Sequence, residues 1–214
     1  MFNSANVFER IGFASLEDLN SNEWKQIYEL LNSYQEELCS YSVHSDDYIW
    51  PVRPLQNQTR PWEYPYAFSN IKKMSGRISS NKPIIADLGS GFTFFPYALA
   101  RTLEMNVICI DNDDVPGRLY KKAKPLMDVG QGSLDFRQGD LELIPLESNS
   151  VDIAYSISVL EHLSNLEPVL MEINRILKDG GYFILTFDID IQGNFDISPE
   201  NWRLLRQMLD YHFV

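Results

Sequence analysis

From residue 22 to about 40, apolar residues recur at spacings of three and four: Trp24, Ile27, Leu30, Leu31, Tyr34 and Leu38. That period puts one buried stripe along an amphipathic helix. The next stretch, YSVHSDDYIWPVRPLQNQTRPWEYPY, contains Pro51, Pro54, Pro61 and Pro65. These predict irregular chain whose many rings must pack on something, with a second helix over about 66–78. After Lys82 short apolar runs alternate with helical stretches. Strands are predicted at 83–88, 106–111, 134–138, 151–157 and 181–189, and helices at 94–103, at 164–177 and, interrupted by proline, around 115–127. Alternating strands and helices require crossover connections, so the fold class is α/β, a doubly wound, mainly parallel sheet with helices on both faces.

Local signals mark the element ends. Ser164-Asn165-Leu166-Glu167 has capping-box spacing, Leu166, Leu170, Ile173 and Leu177 form the buried stripe behind it, and Gly180-Gly181 reads as the stop. Ser198-Pro199-Glu200 opens a last helix, expected to run to about 211. Tyr211-His212-Phe213-Val214 could begin a sixth strand. The division expected is a helical and aromatic cap over 1–80 and a ligand-binding domain over 81–214.

Composition narrows the partners. The 214 residues are 44% apolar and 22% charged, enough apolar side chain to fold. The longest apolar run, residues 94 to 100, is far below the roughly 20 residues needed to span a bilayer. Eighteen Lys and Arg against 30 Asp and Glu leave a formal charge of -12. Such a surface repels phosphate backbones, so no nucleic-acid partner is expected, and no membrane. Cys39 and Cys109 form neither a zinc spacing nor a disulfide framework. Metal ligands are therefore not expected, and with no basic, apolar leader in MFNSANVFERIGF a cytoplasmic location is.

The chemistry concentrates in IIADLGSGFTFFP, residues 84 to 96. An apolar strand runs into Gly89-Ser90-Gly91 and then a helix, a turn in which missing Cβ atoms let a ligand approach the backbone. Twenty residues after Gly91 the second strand ends in Asp111, placed to accept from ribose hydroxyls. These two features fit any adenosine-containing cofactor. A dinucleotide fingerprint would need glycine where Phe94 stands, and Asp87 would oppose a phosphate, so a zwitterionic amino-acid moiety suits the turn better.

Here the sequence resembles the class I S-adenosylmethionine-dependent methyltransferases that act on small molecules, over about residues 60 to 188. DLGSG at 87–91 is similar to that family's first motif and ICIDND at 108–113 to its second-strand motif. QGDLELIPLESNSVDIAYSISVLEHL at 138–163 is similar to the stretch with the adenine-contacting acid and fourth strand, and EINRILKDGGYFILTFD at 172–188 to its helix, glycine turn and fifth strand. Thr93 stands where the family often has a third glycine. The resemblance implies a Rossmann-like fold with S-adenosylmethionine as cofactor. Asp87, Leu88, Gly89, Ser90 and Gly91 would border its methionine end, and Asp111 with Asn112 its ribose. Asp140 and Leu141 would meet the adenine, Ser156 would lie near the methyl group and, where residues 60–66 form a lid, Arg60 would pair with the cofactor carboxylate. His162 is the candidate general base if the acceptor must lose a proton.

For RPWEYPY, residues 60–66, two roles stand side by side: a lid over the sulfonium, or a clasp docking the amino-terminal helices. The resemblance also implies seven strands, whereas five are assignable. The last one or two strands are expected to be missing, leaving a fifth-strand edge for a second copy or another partner to cover. Two alternatives to a small-molecule methyltransferase remain: a non-catalytic binding module or truncated inactive form acting through a partner, and, more distantly, a nicotinamide-dependent oxidoreductase.

Overall fold

The computed structural model describes residues 8, 12–43, 45–57, 59–189 and 197–213. Five strands, β1 (Ile84–Leu88), β2 (Asn106–Asp111), β3 (Ser133–Gln138), β4 (Val151–Ile157) and β5 (Leu177–Thr186), form one parallel sheet in the order β3-β2-β1-β4-β5. The chain moves outward from β1 to β3, then returns to β4 on the other side of β1. That reversal leaves a crevice beyond the carboxyl ends of β1 and its neighbours, the place where open α/β sheets take ligands.

Alternation along each strand builds two cores. Ile85, Val107, Cys109, Ile153, Tyr155 and Ile184 face the first core, together with α1 (Asn22–Ser40), α2 (Arg60–Ser75), α3 (Phe95–Leu103) and α4 (Asp114–Ala123). Ala86, Leu88, Ile110 and Ala154 face the second, with α5 (Leu166–Ile176) and α6 (Pro199–His212). The stripe read on α1 is there: Leu31, Tyr34 and Leu38 are buried in the first core, with Ile27 and Leu30 packed against it. Arg101 of α3 stacks 4.3 Å over the Tyr34 ring and donates to its hydroxyl at 3.0 Å, docking α1 on α3.

Several boundaries differ from the sequence expectations. α2 begins at Arg60, six residues before its expected start, and carries Pro61 in its first turn and Pro65 inside. Proline is at home in a first turn, but Pro65 has no N–H to bond the Pro61 carbonyl four residues back. The Trp24 indole on α1 donates to that carbonyl at 2.7 Å, so one α1 side chain repairs the break and docks the two helices. α4 is not interrupted by its proline either: Pro116 lies in the first turn behind the Asp113 cap, and the helix ends at Ala123, short of 127.

The capping box at Ser164 does not form. α5 starts at Leu166 with Asn165 at its cap and no side-chain cap bond. Gly180-Gly181 is not the stop of α5; the chain enters β5 directly at Leu177. Leu177 pairs with Val151 and Tyr182 with Ile153, so the residues between bulge out, with Gly180 at φ +73°. The buried Asp152 holds this irregularity: Oδ1 accepts from Lys178 Nζ at 2.8 Å, and Oδ2 from the Ile84 amide at 2.8 Å.

The Ser198 cap forms as read, accepting from Asn201 N at 3.1 Å. α6 continues to His212 where a sixth strand had been expected to begin. β5 is covered on its two faces by α2 on one side and by α5 with α6 on the other, the latter through ring contacts Phe183–Phe213 (5.2 Å) and Phe187–Trp202 (5.3 Å). Along its edge β5 pairs only with β4 among the described residues. No helix of the described residues is long and apolar enough to cross a membrane.

Candidate functional site

The turn after β1 is held by β2. The Gly89 and Ser90 amides both donate to the Ile110 carbonyl, at 2.9 and 3.0 Å. The Asp111 carboxylate accepts from the Gly91 amide at 2.8 Å on one oxygen and from the Asp113 amide at 3.0 Å on the other. Gly89 (φ +72°) and Gly91 (φ +51°) adopt left-handed backbone that side chains disfavour. Space also requires glycine: a Cβ at Gly89 would lie 2.5 Å from Val159 Cγ1, and one at Gly91 2.9 Å from the Tyr48 hydroxyl.

Beside this turn is a cavity of about 30 Å³, lined by Tyr64, Asp87, Gly89, Ser90, Thr93, Phe95, Tyr155 and Ile157. Register explains the grouping, since Asp87 sits beside Tyr155 across the β1–β4 pair and beside Cys109 across β1–β2. Burial pushes the Asp87 carboxyl up to about 7, and the nearby Asp111 charge adds to the effect. The Tyr155 hydroxyl is near enough to hold it down somewhat, yet makes no hydrogen bond of good geometry. A buried carboxyl raised to about 7, beside a buried hydroxyl with no hydrogen-bond partner among the described residues, suits a cationic group, which would favour its charged form.

The other expected site residues disperse. Leu88 is fully buried in the second core, and Leu141 is packed there too. Asn112 is exposed, its carbonyl accepting from Gln138 at 3.1 Å. Asp140 is also exposed and accepts from the Glu142 amide at 2.9 Å. Ser156 requires a correction: it is fully buried and donates to the Leu88 carbonyl at 3.1 Å, bracing β4 against β1. Because side chains alternate, Tyr155 and Ile157 face the cavity and Ser156 faces the opposite core. Arg60 pairs with Glu63 at 2.5 Å. His162 is exposed, its ring 6.2 Å from that of Trp50.

Four features escaped sequence reasoning. Tyr64 of α2 lines the cavity while packing on Phe94 and Phe95, so the RPWEYPY segment is part site wall and part clasp. Val159 covers Gly89, and Tyr48 reaches the turn from a stretch with no periodicity. The fourth is a polar group at the ends of β4 and β5: Glu63 accepts from Ser158 at 2.7 Å, and Glu161 accepts from the Asp188 amide at 3.3 Å. Burial, with Glu63 and Asp188 nearby, raises Glu161 to about 7, and its buried Oε2 has no hydrogen-bond partner among the described residues. The LEH run at 160–162 signalled this place, but attention fell on the histidine. Asp47 reaches Arg118 at 3.4 Å. Among the described residues, no cluster of three or more His, Cys, Asp or Glu could hold a metal ion.

Residues 86–185 match the family model described as a methyltransferase domain. Over 103 residues the chain is 33% identical to sterol 24-C-methyltransferase of Saccharomyces cerevisiae, covering 47% of this chain and 26% of that protein. It is also 28% identical, over 103 residues, to dimethylglycine N-methyltransferase of Parasynechococcus marenigrum, covering 48% of this chain and 36% of that protein. The matched region is thus well under half the length of either relative. Among solved structures, a SAM dependent methyltransferase from Aquifex aeolicus superposes with TM-score 0.54 at 19% identity, over 74% of this chain and 84% of that one. The [4+2]-cyclase SpnF superposes with TM-score 0.53 at 18% identity, over 87% and 69%.

Proposed function

We propose that the chain carries a class I S-adenosylmethionine-dependent methyltransferase domain and transfers the methyl group of S-adenosylmethionine to a small-molecule acceptor, a reading supported by the family match over residues 86–185 and by the similar relatives and fold. The observation that supports this reading best is the assembly of Asp87, the Gly89–Gly91 turn and Asp111 at the reversal of strand order, beside a buried hydroxyl without a partner.

The chemistry of these groups fits the cofactor. Asp87 would face its ammonium group and Asp111 its ribose hydroxyls, while Asp140, two residues beyond the end of β3, would accept from the adenine amine. S-adenosylmethionine brings its methyl group already activated on a sulfonium, which departs as a neutral thioether when the acceptor's nucleophile attacks. The residues of this chain then align the reactants and exclude water. Tyr64 and Tyr155 wall the cavity against solvent. Where the acceptor must first lose a proton, Glu161 and His162 are the titratable groups of the turn after β4.

The relatives methylate a sterol and dimethylglycine, and a small molecule is the acceptor class proposed here. A cytoplasmic location fits the free Cys39 and Cys109. Residues 1–80 serve as a cap and 81–214 as the cofactor domain, with the β5 edge the place for a second copy or partner to pair. The second reading, a non-catalytic or differently acting module, draws on the cavity of only about 30 Å³ and on a [4+2]-cyclase of similar fold.

Calorimetric titration separates the readings. S-adenosylmethionine and S-adenosylhomocysteine are expected to bind, NAD is not, and Asp111→Ala is expected to lower the affinity at least about tenfold by removing a charged acceptor. Label must then pass from the methyl donor into a component of a metabolite extract. Absence of binding at millimolar cofactor rejects the proposal, and binding without any transfer favours the second reading.

A further inference from the structure

Residues 45–53 cross the mouth of the site as a strap. Asp47 meets Arg118 of α4, beyond β2, at 3.4 Å. Tyr48 reaches the turn after β1, accepting from the Phe92 amide at 2.7 Å and donating to the Phe92 carbonyl at 3.1 Å. Trp50 lies with its ring 6.2 Å from that of His162, after β4. Beyond the strap the chain is anchored by the Leu55 amide, which donates to the buried Gln35 at 2.9 Å. The outer side of the strap is open, with Ile49 83% exposed.

The bonds at the turn are of two kinds. The Gly89, Ser90 and Gly91 amides are bound by Ile110 and Asp111, which belong to β2 and stay with the sheet. The Phe92 amide is bound by Tyr48, which arrives on a strap tied at the surface. The same hydroxyl stands within 2.9 Å of the place a Gly91 Cβ would occupy. The hydroxyl therefore covers Gly91 as Val159 covers Gly89, and the cavity beside the turn, about 30 Å³, is far below the roughly 300 Å³ or more of a small-molecule site.

We propose that the 45–53 strap is a removable closure of the cofactor site, with Tyr48 as the latch that the methionine end of the cofactor must displace from Phe92. This rests on the methyltransferase reading and adds to it a competition inside the chain. The free protein sits mainly latched, and apparent affinity is reduced by the fraction of molecules that are open. Trp50 moves with the latch, so cofactor binding changes its surroundings as well as those of Tyr48.

The test is titration of the whole chain with S-adenosylhomocysteine, comparing wild type with Tyr48→Phe, which keeps the ring and deletes both latch bonds. The variant is expected to bind about fivefold to a hundredfold more tightly, the effect of two net hydrogen bonds that favour the closed form. Arg118→Ala, which releases the exposed outer tether, is expected to tighten binding by a smaller factor. Equal or weaker binding by Tyr48→Phe, with the wild type binding normally, overturns the closure and leaves the cofactor reading intact. Binding by none of the three proteins at millimolar ligand overturns the cofactor reading and the closure with it.

Discussion

Asp87→Asn is expected to make the ligand-free protein less sensitive to alkaline pH. Burial lifts the Asp87 carboxyl from an ordinary 3.8 to about 7. The folded chain thus keeps this proton over a range in which the unfolded chain has lost it, and stability falls as pH rises from about 4 through about 7. The full penalty, reached above the folded value, is about 4 kcal/mol; at pH 5 it is less than half of that. Asparagine does not titrate, so the stability difference between variant and wild type should shift by about 3 kcal/mol in the variant's favour between pH 5 and pH 8.5. Glu161 titrates in both proteins and cancels, as does any fixed cost of fitting the amide beside Tyr155. Urea unfolding of both chains at the two pH values measures the shift. Parallel stability profiles, with a gap constant to within about 0.5 kcal/mol, would refute a neutral Asp87 in the empty site.

Glu161→Gln follows the same sign, because burial also raises that carboxyl to about 7. Partial exposure reduces the effect, and a gain of about 1–3 kcal/mol at pH 8.5 over that at pH 4 is expected in urea unfolding. Trp24→Phe keeps the ring against Tyr28 but leaves the Pro61 carbonyl, already deprived of Pro65, without its indole donor. A loss of about 1–2 kcal/mol, read as a lower melting temperature, is expected; an unchanged melting temperature would mean that water serves that carbonyl equally well.

The parts of the fold legible in sequence were those fixed by period and by local geometry. Five strands, the α1 stripe and the Ser198 cap depend on residues near in sequence, and the glycine turn with Asp111 depends on backbone conformation that few residues allow. The misread boundaries are those where a distant residue decides. Pro65 inside α2 is tolerated because Trp24 reaches across from α1, a contact 37 positions away in the chain. The Ser164 box lost to a helix that starts two residues later, and Gly180-Gly181 became a bulge held by Asp152. In the site, Ser156 was one residue out of phase: only the pairing of β4 with β1 shows which parity faces the cavity. Tyr48 carries no motif, Tyr64 and Val159 lie inside the stretches 60–66 and 138–163 without being marked there, and the roles of all three come from packing around the turn.

The unpaired edge of β5 also bears less on the cofactor site than the strand count first suggested. Asp87 and the glycine turn leave β1, Asp111 ends β2, Tyr155 and Ile157 lie on β4, and the closing groups come from the strap, α2 and the turn after β4. None lies on β5 itself, and its two faces are already covered by α2, α5 and α6. What β5 supplies is support for the polar group after β4: Ser158 N donates to the Thr186 carbonyl at 2.9 Å, and the Asp188 amide reaches Glu161. A partner strand added to the β5 edge would therefore act first on the Glu63–Ser158–Glu161 group and leave the Asp87–Asp111 side to the strap. Cofactor affinity and turnover should then respond to different parts of the chain, the first to Tyr48 and the second to whatever pairs with β5.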